Sequence, residues 1–213
     1  MGSLADRTAD YFETLARLTR DASVTDRAGR PLTIGAGIEE FLAHGRAAHD
    51  AGHKLIFIGN GASATMASHY ALDFSKNGGI RSLALNDAAL LTALVNDVGG
   101  EAIFAEQIGY HAREGDVLVA ISSSGSSPNI LNAVERARDA GCRVITFSGF
   151  DTENPLRLSG DLNFHVAGDE YGFVEVAHNA LIHAILDLSL GWGTADDRNP
   201  GALKRRRLAA EQR

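Results

Sequence analysis

A cluster of small hydroxyl residues separates an apolar run from a helical pattern in the middle of the chain. Residues 122–127 contain five serines and Gly125. Serine hydroxyls and the unpaired N–H groups at a helix start are the donors that bind phosphate. No lysine or arginine lies in the cluster, so it suits a sugar monophosphate better than a nucleoside triphosphate. The same pattern also fits a serine-rich turn that caps an ordinary helix.

The flanking residues predict how this cluster is positioned. Residues 116–121 are mostly aliphatic and bounded by small residues, which is typical of a buried parallel strand. Apolar residues then recur at helical spacing from Ile130 to Ala137, with Pro128 at the expected first helical position. We therefore predict a strand, a serine turn and a helix in succession.

A glycine-rich turn earlier in the chain has the same arrangement. Residues 54–58 read as a strand, residues 59–63 as the turn, and residues 64–76 as a helix. The dinucleotide-binding fingerprint is excluded, because Ala64 replaces its third glycine. The glycines still permit close approach of a ligand to the backbone, and Ser63 could donate to it. A plain tight turn is the alternative.

The remaining patterns complete an alternation of strands and helices. We predict an α/β fold: a single-domain, three-layer sandwich with a parallel sheet of about five strands, plus an N-terminal helix. Residues 4–20 form that helix, and residues 22–36 are predicted to be a loop. Because parallel strands end at one edge of a sheet, both turns should meet at one pocket.

Composition restricts the possible functions. The net charge of −7 over 213 residues argues against a general nucleic-acid binder, and no apolar run approaches the ~20 residues that span a bilayer. No secretory signal pattern opens the sequence, so we expect a cytoplasmic protein. The solitary Cys142 offers no cysteine pair, so any metal would depend on nitrogen and oxygen ligands.

Taken together, these motifs resemble the sugar isomerase (SIS) domain family, and within it the phosphoheptose isomerases. The resemblance extends over about residues 38–192. It implies a flavodoxin-like SIS domain over residues 37–192, an N-terminal helix and loop over 1–36, and a flexible tail over 193–213. It also implies a homotetramer whose pockets form between subunits. The motifs that carry it are Gly59 to Ser63, His69, Asn96 with Asp97, the serine turn, and the helix with His178 and His183.

The resemblance implies which residues bind a phosphorylated sugar. In such isomerases the serine loop holds the phosphate, while the glycine turn and an Asn-Asp pair face the sugar. The matching positions are Ser122, Ser123, Ser124 and Ser127 for the phosphate, with Asn60, Gly61, Ser63, Asn96 and Asp97 around the sugar.

The resemblance further implies a zinc site with His69, Asp73, Glu175 and His183 as ligands. Two of these depart from the family pattern, since Asp73 stands where the family has glutamate and Glu175 where it has glutamine. The implied catalytic residues are Asp73 and His183. Our hypothesis for Glu175, which departs from the family, is that this second carboxylate takes over as base or strengthens zinc binding.

Residue spacing tests this ligand set independently. His69 and Asp73 are four apart, so they share one helical face. Glu175 and His183 are eight apart, a rise of ~12 Å on a straight helix. They share a metal only if Glu175 precedes the helix or the helix is distorted. A core role for His183 and a surface role for Asp73 are the alternatives.

The function implied by the resemblance is aldose–ketose isomerisation, with sedoheptulose 7-phosphate and D-glycero-D-manno-heptose 7-phosphate as the expected pair. Zinc would assist an enediol mechanism. Two alternatives stay open from the sequence: an isomerase for another phosphosugar, and a non-catalytic sugar-phosphate-binding SIS protein. A third, an adaptor for acidic partners, would depend on the basic residues 204–207, which fit a solvated tail better.

Overall fold

The computed structural model describes residues 2–193, in which helices and strands alternate along most of the chain. The predicted N-terminal helix is present with the predicted bounds. In chain order, the elements are α1 (Leu4–Arg20), β1 (Ser23–Asp26), β2 (Pro31–Leu32), α2 (Ile34–Asp50), β3 (Leu55–Gly59), α3 (Ala62–Lys76), β4 (Ser82–Ala84), α4 (Ala88–Val98), α5 (Ile103–His111), β5 (Val117–Ser122), α6 (Pro128–Asp139), β6 (Arg143–Gly149), β7 (Leu162–Val166) and α7 (Tyr171–Ser189).

One sheet organises the fold, with the strand order β2-β1-β7-β6-β5-β3-β4. The five strands from β3 to β7 are parallel to one another, as predicted. The predicted total of about five strands is wrong, because β1 and β2 extend the sheet to seven. Strand β1 pairs antiparallel with both β2 and β7.

The two additional strands lie in residues 22–36, where the sequence pattern predicts a loop. The loop prediction is also wrong at the end of this interval, because α2 already begins at Ile34. Asp26 shapes the hairpin between them, since its Oδ1 accepts hydrogen bonds from the N–H groups of Ala28 (2.9 Å) and Arg30 (3.0 Å). Gly29 completes the turn with a φ of +76°. Strands of four and two residues are too short for alternation to identify them, and pairing with β7 stabilises them instead.

Helices cover both faces of the sheet, which confirms the predicted three-layer sandwich. Helices α1, α2, α3 and α7 pack on one face, around buried aromatic residues that include Phe41, Phe74 and Phe147. Helices α4, α5 and α6 pack on the other face, around Phe104 and Ile130. The central strands β3 and β5 are buried along their whole length because helices lie on both sides of them.

The parallel register brings the two predicted turns side by side. Gly59 at the end of β3 pairs with Ile121, and β5 ends one residue later at Ser122. A β-carbon at position 59 would lie 2.6 Å from the Ser63 carbonyl carbon, which is too close. Because Gly59 has no β-carbon, the chain can turn sharply after β3. Gly61 has a φ of +56°, which glycine adopts without strain.

Across residues 2–193, no individual helix has both the length and the apolar composition to cross a bilayer. One sharply bent pair, α4 with α5, meets the length and composition criteria only when its two helices are taken together. The proposed boundaries at residues 36 and 192 stay predictions, and residues 194–213 of the predicted tail lie outside the described residues.

Candidate active site

The serine turn has the donors and the shape that a phosphate group needs. The side chain of Ser123 is buried, and its hydroxyl has no hydrogen-bond partner among the described residues. Ser122 Oγ lies 3.5 Å from Ser127 Oγ, which closes the turn. Ser127 caps α6 without a side-chain bond to the helix. Pro128 has no N–H group, and the N–H groups of Ile130 and Leu131 donate to the Ser127 carbonyl oxygen, so in the first turn of α6 it is the Asn129 N–H group that can face an anion.

A pair of asparagines joins the serine turn to the glycine turn. Asn60 Nδ2 donates to Asn129 Oδ1, and Asn129 Nδ2 donates to Asn60 Oδ1, both at 2.9 Å. Ser63 is buried in the first turn of α3, next to the same edge of the sheet. Asn60 was predicted to bind the sugar, whereas Asn129 was missed because only strand pairing brings the two residues together.

The other predicted sugar-binding pair lies at the end of α4. Asn96 Nδ2 donates to Asp97 Oδ1 at 2.8 Å, and both residues are exposed. Among the described residues, no hydrogen bond joins this pair to either turn. Their binding role therefore stays a prediction.

Three of the four predicted metal ligands meet in one chain. His69 and Asp73 on α3 face His183 on α7, and one ligand atom from each lies within 4.8 Å of the others. His69 Nε2 lies 3.1 Å from Asp73 Oδ2, and the two imidazole rings are 5.5 Å apart. Packing of α7 against α3 produces this contact between residues that are far apart in sequence.

This donor set fits zinc. Two imidazoles and one carboxylate are the ligands of many catalytic zinc sites, in which a fourth position stays open for water or substrate. Ligand atoms in a tetrahedral site with bonds of ~2.1 Å are about 3.4 Å apart, so small side-chain rotations suffice to close the cluster. Asp73 Oδ1 already accepts a hydrogen bond from Asn77 Nδ2 (3.1 Å), which orients the carboxylate with Oδ2 towards His69.

Tyr70 packs against both histidines of the cluster. Its buried ring makes edge contacts with His69 at 5.4 Å and with His183 at 5.1 Å between centroids. Its hydroxyl lies 2.6 Å from both the carbonyl oxygen and the side-chain oxygen of Asn179, one turn before His183. Burial raises the pKa of Tyr70, so the hydroxyl stays a donor. Tyr70 is not among the residues predicted for the site, although its position directly after His69 in the sequence was a signal.

Comparison with known proteins agrees with these features. Residues 34–149 match the model of the SIS domain family. The chain belongs to the SIS domain family. The phosphoheptose isomerase of Geobacter sulfurreducens is 35% identical over 178 residues, which cover 81% of this chain and 90% of the relative. That of Citrifermentans bemidjiense is 37% identical over 147 residues, or 66% and 76% of the two chains.

Solved structures give the same result. The phosphoheptose isomerase of Neisseria gonorrhoeae superimposes with a TM-score of 0.75 at 28% identity, over 88% of this chain and 99% of that one. The enzyme from Francisella tularensis also has a TM-score of 0.75, at 26% identity, over 88% and 98% of the two chains. The predicted resemblance is confirmed, and this SIS protein is an isomerase.

Glu175 lies apart from the three clustered ligands. Helix α7 is continuous from Tyr171 to Ser189, so Glu175 neither precedes the helix nor lies at a break in it. Eight residues separate it from His183, a rise of ~12 Å. Within a single chain, the Glu175 carboxylate therefore lies outside the cluster. The predicted role of Glu175 stays a prediction.

A wide groove lies at the opposite edge of the sheet. It has a volume of about 1170 Å³, and its walls include His44, Asp116, Arg143 and Asp161. None of the predicted site residues of this SIS protein lines it. Mixed charges of both signs cover its walls, so it shows no preference for an anionic ligand.

Proposed function

We propose that this isomerase interconverts sedoheptulose 7-phosphate and D-glycero-D-manno-heptose 7-phosphate. The single observation that carries the proposal is the meeting of His69, Asp73 and His183 in a chain whose serine turn also has a buried hydroxyl, that of Ser123, without a hydrogen-bond partner within residues 2–193. The relatives named phosphoheptose isomerase support the same substrate class, a phosphorylated sugar.

The serine turn binds the phosphate in this proposal. Ser122, Ser123, Ser124 and Ser127 supply hydroxyl donors, and the Asn129 N–H group at the start of α6 adds the partial positive charge of the helix dipole. Asn60, Gly61 and Ser63 border the sugar from the adjacent glycine turn, and Asn96 with Asp97 contacts the sugar hydroxyls. The phosphate thereby fixes the position of the reacting carbons.

Asp73 and His183 move the protons. From the ketose, the Asp73 carboxylate takes a proton from C1 while a proton reaches the C2 carbonyl oxygen, which gives the enediol. Loss of the O1 proton and return of a proton to C2 then yield the aldose. His183 carries the proton between the two oxygens. Zinc held by His69, Asp73 and His183 would polarise the carbonyl and stabilise the negative charge that develops there.

Glu175 is proposed as the fourth ligand or as a second base. Asp73 is one methylene shorter than the glutamate of the family, and a misplacement of ~1 Å costs roughly a hundredfold in rate. A second carboxylate would compensate for that loss. Since one chain keeps Glu175 and His183 apart on α7, such a contribution requires a site completed by another subunit.

We further propose a homotetramer with sites between subunits. In one chain, His69 lies seven residues into α3 and His183 twelve residues into α7, or ~10 and ~18 Å from the helix starts at the turn-bearing edge. The cluster is therefore displaced from the serine turn of its own chain. Exposed apolar side chains lie on the same two helices: Leu72 (58% exposed) follows His69 by three residues, and Val176 (45%) precedes His183 by seven, a rise of ~10 Å along α7. A neighbouring subunit would cover them.

The cytoplasmic location expected from the sequence stays a prediction.

A panel of phosphosugars tests the proposal. Purified protein with measured zinc content is incubated with ketose phosphates of five to seven carbons, and NMR follows the appearance of the aldose. We expect conversion of sedoheptulose 7-phosphate and loss of that activity after zinc removal, with recovery on zinc addition. Turnover of a shorter sugar alone would favour another phosphosugar, a candidate that the departures at Asp73 and Glu175 support. No turnover of any ketose would contradict the proposal.

A further inference from the structure

A buried asparagine packs against the tip of the serine turn at Gly125. We propose that Asn154 is a positioning residue that holds this turn in its phosphate-binding shape. The inference rests on the proposed role of the serine turn. Asn154 follows β6 in sequence and is only 3% exposed.

The side chain of Asn154 is fixed by its own hydrogen bonds. Its Nδ2 lies 2.7 Å from the carbonyl oxygen of Asp151, 3.1 Å from that of Gly149 and 3.3 Å from Ser148 Oγ. Its Oδ1 accepts from the N–H group of Arg157 at 2.9 Å. Both ends of the amide are therefore occupied, and the side chain has one orientation.

The fixed amide packs against the backbone of Gly125, at the tip of the serine turn. A β-carbon on Gly125 would overlap the side chain of Asn154, and the φ of +62° at this residue favours glycine. The N–H group of Leu156, two residues after Asn154, donates to the Gly125 carbonyl oxygen at 2.9 Å. The segment after β6 thus contacts the tip of the turn at Gly125 and holds it by a backbone hydrogen bond.

A second bond links the same segment to the turn. The N–H group of Gly149, whose carbonyl accepts from Asn154, donates to the carbonyl oxygen of Ser123 at 3.0 Å. Ser123 carries the buried hydroxyl that has no hydrogen-bond partner in the part of the chain that the structure describes. Asn154 therefore affects phosphate binding through the backbone of Gly125 and Ser123, without touching the phosphate. Removing it should release the turn and lower phosphate affinity more than turnover.

Asn163 provides a matched control. It is also 3% exposed, and a β-carbon on Gly160 would overlap its side chain in the same way. Its Oδ1 accepts from the Gly160 N–H group at 3.0 Å and from Thr146 Oγ1 at 2.7 Å. It lies near the start of β7, at the edge of the sheet opposite the serine turn. Loss of its side chain removes a comparable buried amide without affecting that turn.

The experiment compares Asn154→Ala and Asn163→Ala in the zinc-loaded full chain. Calorimetry gives the Kd for inorganic phosphate, and NMR kinetics give KM and kcat for sedoheptulose 7-phosphate. We expect Asn154→Ala to raise the phosphate Kd and KM about tenfold, to change kcat less than threefold and to keep its zinc. Asn163→Ala should change all of these less than twofold. Equal phosphate Kd values for the two variants would overturn the inference.

Two further results keep the inference separable from the proposed function. If Asn154→Ala does not fold, Gly125→Ala tests the same contact from the other side, and unchanged phosphate affinity in that variant would overturn the inference. A wild-type protein that binds phosphate but leaves every ketose unchanged would contradict the proposed reaction and leave the positioning role intact. A wild-type protein without phosphate affinity would contradict both.

Discussion

The side-chain amides of Asn60 and Asn129 hydrogen-bond to each other in both directions, at 2.9 Å each. Asn60 follows β3 and Asn129 is the second residue of α6, so the pair joins the loops at the ends of two neighbouring strands. Each amide uses one donor and one acceptor in the pair, which fixes both orientations. The glycine turn and the serine turn are thereby held as one binding surface.

Replacing Asn129 by Asp should weaken binding of the phosphorylated sugar. The carboxylate can still accept from Asn60, but it cannot donate in return, and its negative charge repels the phosphate. We expect KM to rise about tenfold in the kinetic assay. Asn132→Asp adds the same charge nearly one turn further along α6 and serves as the control. Equal KM values for the two variants would show that the amide pair has no role in binding.

Loss of His69 should remove the metal. In the His69→Ala variant the three-residue cluster keeps only Asp73 and His183, and we expect zinc affinity to fall at least a hundredfold, as judged by competition with a chelator. Activity should fall with it and return only at high zinc concentration. His111→Ala, an exposed histidine on α5, is the control and should keep its zinc. A His69→Ala variant with full zinc content would exclude the proposed ligand set.

The two carboxylates can be separated by their effects on kcat. Asp73→Asn removes the proposed base while keeping the shape of the side chain, so we expect kcat to fall by a factor of about 10²–10⁴. Glu175→Gln restores the residue type found in the family. It should lower kcat about tenfold if Glu175 acts as a second base. Unchanged turnover in Glu175→Gln would assign the base role to Asp73 alone.

Acid should destabilise the fold through its buried imidazoles. His178 is fully buried, donates from Nε2 to the Ser148 carbonyl oxygen (2.9 Å), and burial lowers its pKa to about 4. In the unfolded state the imidazole has a pKa near 6.5. Between pH 6.5 and 4 the unfolded state therefore binds a proton that the folded state does not bind. The free energy of unfolding consequently falls as the pH drops through that range. His165 behaves likewise, with its pKa lowered by burial to about 4.

The variant His178→Gln tests this pH dependence. A glutamine amide can donate to the same carbonyl but does not titrate, so the free energy of unfolding should fall less steeply between pH 6.5 and 4.5. The expected difference is about 3 kcal/mol at pH 4.5. Urea unfolding at several pH values measures it, with His111→Gln as the control. Parallel curves for wild type and His178→Gln would rule out the buried neutral imidazole.

Asp116 should matter for stability and not for binding. It is 1% exposed and accepts from the Lys54 N–H group (2.9 Å), from Lys54 Nζ (2.6 Å) and from the Arg113 N–H group (2.8 Å). Asp116→Ala leaves these donors without their acceptor, and we expect the free energy of unfolding to fall about 3 kcal/mol. KM should stay within twofold, since Asp116 lies at the edge opposite the turns. Asp50→Ala, at an exposed position, is the control and should change neither quantity.

The sequence by itself determined the local features of this protein. Apolar runs specified the five parallel strands, and small residues specified the two turns at their carboxyl ends. Helical spacing placed His69 and Asp73 on one face of α3, where they lie 3.1 Å apart. These predictions were possible because each depends on residues a few positions apart, whose side-chain directions the helix or strand period fixes.

Only the tertiary structure decided which distant residues meet. Packing of α7 on α3 brought His183 to His69 and left Glu175 outside the cluster, and pairing with β7 turned the expected loop at residues 22–36 into two strands. The same holds for Asn129 against Asn60 and for Asn154 behind Gly125. The physical reason is that such contacts depend on strand order and helix packing, which local periodicity does not encode.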